Sequence, residues 1–371
     1  MKTLLLRILT CFAFASGMHA AAPIPTLPLG ATAPGFALPG VDGRNRSLQD
    51  FAEAKVLVII FTCNHCPTAQ YYEERIKQLV RDYKAKGVAI VGIMPNDPKS
   101  VRLDELGWTD LSDTFDEMKI RARERHFNFP YLYDGDTEQV ARAYGPAVTP
   151  HAFVFDAARK LRYVGAIDDS ERIEHVTKHY VRDAVDALLA GKEPIVAQTK
   201  VVGCSTKWAG KAESVQAYLN KLAAEPVSVS PADAEALQAL RKNGSGKFHL
   251  VNFWATWCAP CIVEFHEFVT INRMYRHRDF EVVTVSMNRP DEVTTVLDFL
   301  KKQQASNQNL IFASTDRDKL INAFDPEWSG AVPYTVLLSP EGKIIYREVD
   351  RIDPLAVKRA IVKALNERKP W

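Results

Sequence analysis

The sequence predicts an α/β fold that occurs twice along the chain. A continuous apolar run of strand length, Val56–Phe61 in the first half and Phe248–Trp254 in the second, is typical of a strand buried on both faces. Each run is followed by two cysteines with two residues between them, by an amphipathic helical pattern, and by a second β-branched run at Val88–Met94 or Val282–Met287. This order is that of a βαβ unit, so its repetition predicts two diverged copies of one fold.

The similarity between the halves continues downstream of these units. A proline stands just before another strand-like run in GPAVTPHAFVFD (145–156) and in SGAVPYTVLLSP (329–340). Each half is then expected to add a strand and a terminal helix, at Leu161–Val164 and Glu171–Leu189 in the first and at Lys343–Arg347 and Pro354–Glu367 in the second. The stretch 191–228, which contains several glycines and prolines, is expected to be a connector with little core of its own.

The N-terminus has the pattern of a secretory signal peptide. Lys2 and Arg7 lie near its start, an apolar stretch runs to about Phe14, and small residues follow. The stretch is too short to span a bilayer. We therefore expect residues 1–22 to be removed. The remaining chain has no stretch apolar enough for a membrane span, and we expect it to be periplasmic or otherwise exported.

Length, charge and cysteine content exclude several classes of protein. The chain of 371 residues is long enough for two domains with full cores, and its net charge of +2 comes from dispersed residues. Nothing in this distribution favours nucleic acid or an anionic membrane as a partner. Of the six cysteines, Cys11 lies in the leader and four others form the two close pairs. Cysteines that are few and lie in close pairs indicate functional thiols rather than the structural disulfides that hold a small fold together.

Each cysteine pair is predicted to be a reversible dithiol. Two intervening residues at the start of a helix allow the sulfurs to bond without backbone movement. The free amides and the dipole of a helix N-terminus stabilise a thiolate, which lowers the pKa of the first cysteine below its ordinary value. We therefore expect Cys258 and Cys63 to attack substrate disulfides. Cys261 and Cys66 would then resolve the mixed disulfides.

The two prolines before the third strand-like run are expected to border these dithiols. Pro150 follows Thr149, and Pro333 follows Val332. The pattern predicts a cis peptide bond at both positions, a geometry that X–Pro bonds adopt at modest cost. A cis turn at these places would present the backbone groups of the preceding residue to a substrate cysteine.

The second half, roughly residues 229–371, resembles the thioredoxin superfamily through NFWATWCAPC and the downstream AVP. It is most similar to the exported branch that reduces or exchanges disulfides during cytochrome c maturation. The resemblance implies that Glu264, three residues after Cys261, accepts a proton from the buried thiol. A solvated helix carboxylate is the competing interpretation. Asn252 stands where ordinary thioredoxins carry a buried aspartate, which also points to the exported branch.

The first half, roughly residues 27–190, resembles the thioredoxin-like proteins classed near the peroxiredoxins. APGFALPGVDGRNRSL (33–48) is similar to their opening hairpin, and TPHAFVFD to their proline strand. Both resemblances together imply two tandem thioredoxin-like folds, each with a central mixed sheet flanked by helices. Peroxide chemistry would require Pro-x-x-x-Thr-x-x-Cys, but counting back from Cys66 places Cys63 at the threonine and Ile59 at the proline. Thiol peroxidase activity is therefore the less favoured alternative for this half.

Three further residues bear on the two sites. His65 lies directly before Cys66, which resembles the C-P-H-C motif of strongly oxidising disulfide-exchange proteins and implies that the first pair is the more oxidising one. Trp257, adjacent to Cys258, is expected to pack at the second site and shield it. Cys204 is unpaired. It is interpreted as a further resolving thiol folded back on the first domain, as the partner of an intermolecular disulfide, or as an inert buried thiol.

The sequence therefore predicts an exported thiol–disulfide oxidoreductase that needs no metal or other cofactor. Its partners would be cysteine-containing proteins and an unidentified electron donor or acceptor. A relay between the two sites would require a hinge-like connector. The alternatives from another class are a first domain in which Cys63 and Cys66 bind copper with His65 or His151, and a four-cysteine zinc site built from both pairs.

Overall fold

The computed structural model describes residues 24–368, so the signal peptide expected at residues 1–22 lies outside the described residues. Two sheets organise this part of the chain, one in each half. None of the helices found between residues 24 and 368 combines the length and the apolar character that a membrane crossing requires.

The first half is built around a mixed sheet of five strands in the order β5-β4-β3-β7-β8. The strands of this half are β1 (Ala37–Pro39), β2 (Asn45–Ser47), β3 (Val56–Phe61), β4 (Val88–Met94), β5 (Tyr131–Tyr133), β6 (Val148–Thr149), β7 (His151–Phe155) and β8 (Leu161–Gly165). Its helices are α1 (Pro67–Tyr83), α2 (Phe115–Glu124), α3 (Gln139–Tyr144) and α4 (Tyr180–Leu189), with 3-10 turns at Leu48–Phe51, Lys84–Lys86, Pro98–Ser100, Leu103–Leu106 and Ile173–His175. Strands β1 and β2 form the predicted opening hairpin.

The connector has more structure than the sequence predicts. It contains β9 (Cys204–Ser205), a 3-10 turn at Ala209–Lys211 and α5 (Ala212–Ala223). Val215 and Leu222 of α5 are buried. This helix was not predicted, but Val215 and Leu222 are the only two buried residues among its twelve, so the expectation of little core stays a prediction.

The second half has a mixed sheet of six strands in the order β10-β13-β12-β11-β14-β15. Its strands are β10 (Ser230–Ala232), β11 (Phe248–Trp254), β12 (Phe280–Ser286), β13 (Gln308–Phe312), β14 (Tyr334–Leu338) and β15 (Ile344–Val349). Its helices are α6 (Ala234–Lys242), α7 (Ala259–Tyr275), α8 (Val293–Lys302), α9 (Arg317–Phe324) and α10 (Pro354–Arg368), with a 3-10 turn at Pro290–Glu292. In both sheets the central strand pairs in parallel with one neighbour and antiparallel with the strand that follows the proline.

The continuous apolar run of β3 is explained by the cores on its two faces. Val56, Val58 and Ile60 lie in one core with residues of α1 and α4, and Leu57, Ile59 and Phe61 lie in another with residues of α3. Successive side chains of a strand point to opposite faces, so a strand covered on both sides has no polar position. The same holds for most of β11. Each cysteine pair therefore follows a central strand that is buried along its whole length.

One predicted helix begins later than the sequence suggests. The helix expected at Glu171–Leu189 begins only at Tyr180. The residues before it form a loop that is closed by the Asp169 carboxylate, which accepts hydrogen bonds from the amide (2.9 Å) and the hydroxyl (2.5 Å) of Thr177. Side chains of this kind compete with helix formation by bonding the nearby backbone. The other predicted strands and the last helix agree with the structure to within two residues at each end.

The two halves pack against each other through the segment between β4 and α2. Val101 and Leu106 of this segment share an apolar core with Phe268 of α7. The hydroxyl of Tyr275 donates a hydrogen bond of 2.7 Å to the carbonyl oxygen of Thr109. A shared core opposes relative motion of two domains. The expectation of a hinge-like connector is therefore not supported, and a relay between the sites stays a prediction.

Candidate redox sites

The second cysteine pair lies where β11 is followed by α7. Cys258 is the N-cap residue of the helix and is joined to Cys261 by a disulfide. The amide of Cys261 points at the Cys258 sulfur at 3.4 Å, the contact that a capping side chain makes with a free helix amide. The Cys258 sulfur is 3.6 Å from the carbonyl oxygen of Val332, and the Val332–Pro333 bond is cis. The proline loop therefore borders the sulfur that caps the helix.

Glu264 lies one helical turn beyond Cys261 and is buried. Its Oε2 atom accepts a hydrogen bond of 2.8 Å from the Ile352 amide, whereas the buried Oε1 has no hydrogen-bond partner among the described residues. Burial raises the pKa of Glu264 to about 7. The carboxylate is thus not the solvated helix residue of the competing interpretation. Its pKa suits a group that takes up and releases a proton at neutral pH.

Trp257 is half-exposed, and its shielding of the second site stays a prediction. Its side chain is 55% exposed, and its ring lies 4.9 Å from the guanidinium carbon of Arg317. Trp254 is buried instead and packs edge-on against Phe265 in the apolar cluster that contains both cysteines. The difference arises because Trp254 ends a strand inside the sheet, whereas Trp257 stands in the turn before the helix.

The first pair is arranged differently because its helix starts later. Helix α1 begins only at Pro67, so Cys66 rather than Cys63 is the N-cap residue. The Cys66 sulfur is 3.1 Å from the carbonyl oxygen of Thr149, and the Thr149–Pro150 bond is cis. Cys63 lies in the preceding loop, with its sulfur 3.0 Å from the Thr149 hydroxyl. Cys66 therefore has the same relation to helix and proline loop as Cys258.

The strand register gives the same equivalence. Phe61 of β3 pairs with the residue after the first proline, and Phe253 of β11 pairs with the residue after the second. Cys66 lies five residues after Phe61, and Cys258 lies five residues after Phe253. Cys66 is thus the structural counterpart of Cys258. An alignment of the two C-x-x-C motifs pairs Cys63 with Cys258. The strand register instead pairs Cys66 with Cys258, a shift of three residues.

The electrostatics of the first pair agree with this equivalence. Burial by itself raises the pKa of the Cys66 thiol. Hydrogen bonds from the Cys204 and Cys63 side chains, together with the charge of His65, outweigh burial and hold that pKa well below its ordinary value. Burial, the hydrogen bond to Cys66 and the charge of Asp113 raise the pKa of Cys63. The lowered pKa thus falls on Cys66, the helix-capping residue, and not on Cys63 as expected.

A buried aspartate that the sequence analysis did not single out holds His65. Asp113 lies in the loop before α2, with Oδ2 2.6 Å from Nδ1 of His65. Its Oδ1 accepts hydrogen bonds from the amides of Asn64 (2.9 Å) and His65 (3.0 Å), and Oδ2 accepts one from Asn96 (2.7 Å). Burial lowers the pKa of His65, but the charge and hydrogen bond of Asp113 outweigh it and raise that pKa. The imidazolium in turn outweighs the effect of burial on Asp113 and lowers its pKa. Asp113 thus favours the positively charged form of His65 beside the first pair.

The same network bears on the copper-binding alternative, which stays a prediction because Nε2 of His65 is buried with no hydrogen-bond partner among the described residues. The Cys63 sulfur, a ring nitrogen of His65 and an oxygen of Asp113 lie within 4.8 Å of one another. However, Nδ1 of His65 is bonded to Asp113, whose two oxygens already accept several hydrogen bonds. The amide of Ala147 donates to Nδ1 of His151 at 3.3 Å, and burial lowers the pKa of His151 to about 4. Each cysteine pair contacts the proline loop of its own sheet, which is not the arrangement of one four-cysteine zinc site.

Cys204 is folded back on the first site. Strand β9 pairs antiparallel with β6, and the pairing places Cys204 opposite Thr149. The Cys204 amide donates a hydrogen bond of 3.3 Å to the Cys66 sulfur. The hydrogen bond between the two side chains, together with burial, raises the pKa of Cys204. Three cysteine sulfurs therefore lie at this site.

These observations define the class of the protein. In both halves a cysteine caps the helix after a central buried strand, beside the residue that precedes a cis-proline, as in the thioredoxin fold. The AhpC/TSA family model matches residues 29–164, and the redoxin family model matches residues 222–362. Two tandem thioredoxin-like domains, as predicted from the sequence, are thereby confirmed.

Several known proteins are similar to one half of the chain. The thiol-disulfide oxidoreductase ResA of Bacillus subtilis (strain 168) is 30% identical over 100 residues, which are 27% of this chain and 51% of that protein. ResA of Halalkalibacterium halodurans is 27% identical over 113 residues, 30% of this chain and 58% of that protein. The chain thus spans about half the length of these curated relatives.

Solved structures also match one half at a time. A hypothetical protein from Sinorhizobium meliloti 1021 is 33% identical and has a TM-score of 0.44, with 50% of this chain and 97% of that chain covered. An uncharacterized conserved protein from Geobacillus kaustophilus is 40% identical, again with a TM-score of 0.44, and the match covers 49% of this chain and 92% of that chain.

Proposed function

We propose that the protein is an exported thiol–disulfide oxidoreductase that exchanges disulfides with cysteine-containing proteins at both sites. The observation that carries the proposal is the repeated placement of a helix-capping sulfur, Cys66 or Cys258, beside a proline loop and a second cysteine. This is the arrangement that stabilises a thiolate and lets a neighbouring thiol resolve a mixed disulfide. Export is supported by the signal-peptide pattern of residues 1–22.

At the second site the reduced Cys258 thiolate attacks a substrate disulfide. One substrate sulfur leaves as a thiolate, and the other forms a mixed disulfide with Cys258. Cys261 then attacks the Cys258 sulfur, releases the second substrate thiolate and restores the Cys258–Cys261 disulfide. The proton of the Cys261 thiol passes to the free oxygen of Glu264. The substrate gains two electrons and the protein loses two.

At the first site Cys66 is the attacking sulfur and Cys63 resolves. The imidazolium of His65, kept charged by Asp113, stabilises the Cys66 thiolate. Stabilising a thiolate stabilises the reduced form of the pair and raises its reduction potential. The first pair is therefore proposed to be the more oxidising one. In the oxidising direction a substrate thiolate attacks the Cys66 sulfur of the Cys63–Cys66 disulfide and Cys63 leaves as a thiolate; a second substrate thiolate then displaces Cys66 as the substrate disulfide forms.

The direct test uses the intact chain with one site disabled at a time. A variant with Cys63→Ser and Cys66→Ser retains the second pair, and a variant with Cys258→Ser and Cys261→Ser retains the first. Both should exchange disulfides with insulin or with a reduced unfolded protein, and the two reduction potentials, measured against glutathione and dithiothreitol, should differ with the first pair the higher. The proposal would be contradicted if neither cysteine pair were reduced or oxidised in this titration.

Glu264→Gln should remove a pH dependence from the second site. Glu264 accepts the Cys261 proton only when it is ionised, so resolution should speed up as pH rises through about 7. Glutamine cannot accept a proton, so at pH 8 the variant should resolve a Cys258 mixed disulfide roughly 100-fold more slowly and lose the inflection near that pH. The measurement is the rate of substrate release from a preformed mixed disulfide between pH 5 and 9.

The matched control for that experiment is Glu267→Gln, on the same helix. Glu267 is paired with exposed His266 rather than buried beside the cysteines, so its loss should leave the profile unchanged. A Glu264→Gln variant that keeps the parental inflection would show that another group takes the proton.

A thiol peroxidase activity of the first domain is the second candidate. The match to the AhpC/TSA family and the position of Cys66 at the helix N-terminus favour it. Cys66 would then attack a peroxide, and Cys63 would resolve the sulfenic acid as a disulfide. In a Cys258→Ser background, peroxide consumption that is lost in Cys66→Ser but survives for one turnover in Cys63→Ser would establish this activity. Absence of consumption in the parent would exclude it.

A further inference from the structure

The connector lies across the first site at the place where a substrate would pair. Strand β9 is hydrogen bonded to β6, the two residues that precede the proline, with Cys204 opposite Thr149 and Ser205 opposite Val148. The carbonyl oxygen of Thr149 is also the atom that lies 3.1 Å from the Cys66 sulfur. Addition of an extended segment to an exposed strand is a common way to bind a peptide. Here the added segment belongs to the same chain and carries a cysteine.

The backbone of the connector comes unusually close to the proline loop. A Cβ atom on Gly203 would lie 2.1 Å from the carbonyl oxygen of Thr149, so only glycine allows this approach. Val202, just before it, is 66% exposed. The segment is held on both sides of this exposed residue, because before it the Thr199 amide donates a hydrogen bond of 3.2 Å to the carbonyl oxygen of Val164.

The residues after Cys204 are anchored firmly. The amide of Lys207 donates a hydrogen bond of 2.9 Å to the side-chain oxygen of Asn96, and its ammonium group is 2.5 Å from a carboxylate oxygen of Glu105. Thr206 and Lys207 are both buried. Asn96 also bonds Asp113, so the anchor of the connector and the network around His65 share one side chain.

We propose that β9 is a built-in substrate strand and that Cys204 exchanges with the first cysteine pair to form a Cys66–Cys204 disulfide. This inference rests on the proposed exchange chemistry of the first site, and it adds a third redox-active cysteine to it. The supporting geometry is the contact of the Cys204 amide with the Cys66 sulfur and the strand pairing that holds it there.

The exchange balances without any external reagent. When the Cys63–Cys66 disulfide is present, the Cys204 sulfur attacks Cys66, the S–S bond between Cys63 and Cys66 breaks, and a bond between Cys66 and Cys204 forms. The proton of Cys204 passes to the departing Cys63 sulfur. One disulfide and one thiol are present before and after, so no electrons enter or leave the protein.

The consequence is that an external protein competes with the connector for the first site. Cys63 and Cys66 are both buried while β9 is in place. A substrate cysteine reaches Cys66 only when the connector strand leaves the proline loop, and any Cys66–Cys204 disulfide must be opened before the strand can leave. The first site is thus regulated by its own connector, whereas no strand pairs with the residues just before Pro333 in the described part of the second domain.

The first experiment maps the disulfide by mass spectrometry in a variant with Cys63→Ser, Cys258→Ser and Cys261→Ser. Trypsin places Cys66 in peptide 56–75 and Cys204 in peptide 201–207. After oxidation with oxidised glutathione, these two peptides should be cross-linked in most molecules. The matched variant that keeps Cys63 and carries Cys66→Ser should give at most about a tenth of that cross-link. Glutathione on Cys66 and Cys204 without a cross-link, or equal cross-linking of Cys63, would overturn the proposal.

The second experiment tests the position of the strand without removing a cysteine. Gly203→Ala should displace β9, because its methyl group cannot fit against Thr149. Alkylation of Cys66 in the reduced protein should then become on the order of 10-fold faster, since the open state is more populated. Gly210→Ala is the control, as a Cβ there meets no atom within 4 Å. Equal alkylation rates in Gly203→Ala and the parent would contradict the proposal.

Failure of this inference is distinguishable from failure of the proposed function. In Cys204→Ser the Cys63–Cys66 pair should still open and close in a glutathione titration. If the Cys63–Cys66 pair titrates in Cys204→Ser but no Cys66–Cys204 disulfide forms in the parent, only the inference about Cys204 is contradicted. If the pair does not titrate in either protein, the proposed function of the first site falls with it.

Discussion

Cys66→Ser is expected to abolish exchange at the first site, whereas Cys63→Ser should trap a mixed disulfide between Cys66 and the substrate. The thiolate is the reacting species, and only Cys66 combines the helix N-terminus with the charge of His65. A serine at the attacking position should slow mixed-disulfide formation at least ~1000-fold, as loss of a nucleophile does in other enzymes. The measurement is the rate of mixed-disulfide formation with a protein disulfide, followed by gel shift.

The experiment is cleanest in a background with Cys204→Ser, Cys258→Ser and Cys261→Ser, so that only the first pair can react. Cys63→Ser then serves as the matched control, with the same chemical change three residues away. A mixed disulfide that accumulates on Cys63 in Cys66→Ser, at the rate seen for Cys66 in Cys63→Ser, would contradict the assignment. It would also restore the simpler correspondence of Cys63 with Cys258.

His65→Gln should make the first pair less oxidising. The imidazolium stabilises the Cys66 thiolate and thus the reduced form, so its loss lowers the reduction potential. A hydrogen bond or contact with a charged group is worth about 1.5–3 kcal/mol, which corresponds to about 30–60 mV for a two-electron couple. Glutamine keeps a donor for Asp113, so the loop retains a partner for that carboxylate. The potential is measured by equilibrium with glutathione in the background lacking the second pair.

His179→Gln is the control for that change. Its ring nitrogen is 3.0 Å from Asp168 and it is partly exposed, at the start of α4 and outside the hydrogen-bond network of the cysteines. Its replacement should leave the potential within experimental error. A potential for His65→Gln that equals or exceeds that of the parent would show that the imidazole does not stabilise the reduced state.

The sequence could predict the fold because the fold depends on patterns that are local along the chain. The buried central strands, Val56–Phe61 and Phe248–Trp254, have the bounds predicted from their apolar runs. Each proline precedes the strand that pairs antiparallel with that central strand, as predicted. The prediction failed where a side chain rather than periodicity decides, as at Asp169, whose hydrogen bonds hold a loop where a helix was expected.

The candidate sites were predicted in part. The cysteines and Glu264 were identifiable because their spacing relative to a strand and a helix is visible in the sequence. Asp113 was not, since it stands 48 residues from His65 in an irregular segment and only the return of that segment to the sheet brings the two together. The exposure of Trp257 could not be predicted, because a residue in a turn has no periodicity that tells which way its side chain points.

The sequence by itself determined that the chain repeats one α/β unit and that a cysteine pair stands at the end of each central strand. The folded structure was needed to see that Cys66 rather than Cys63 caps the helix, because that depends on where the helix begins, and that Asp113 of another loop lies beside His65. It also decided the place of Cys204, whose neighbour Cys66 is 138 residues away. Spacing along a chain fixes what local geometry can do, whereas the pKa of a thiol is set by everything packed around it.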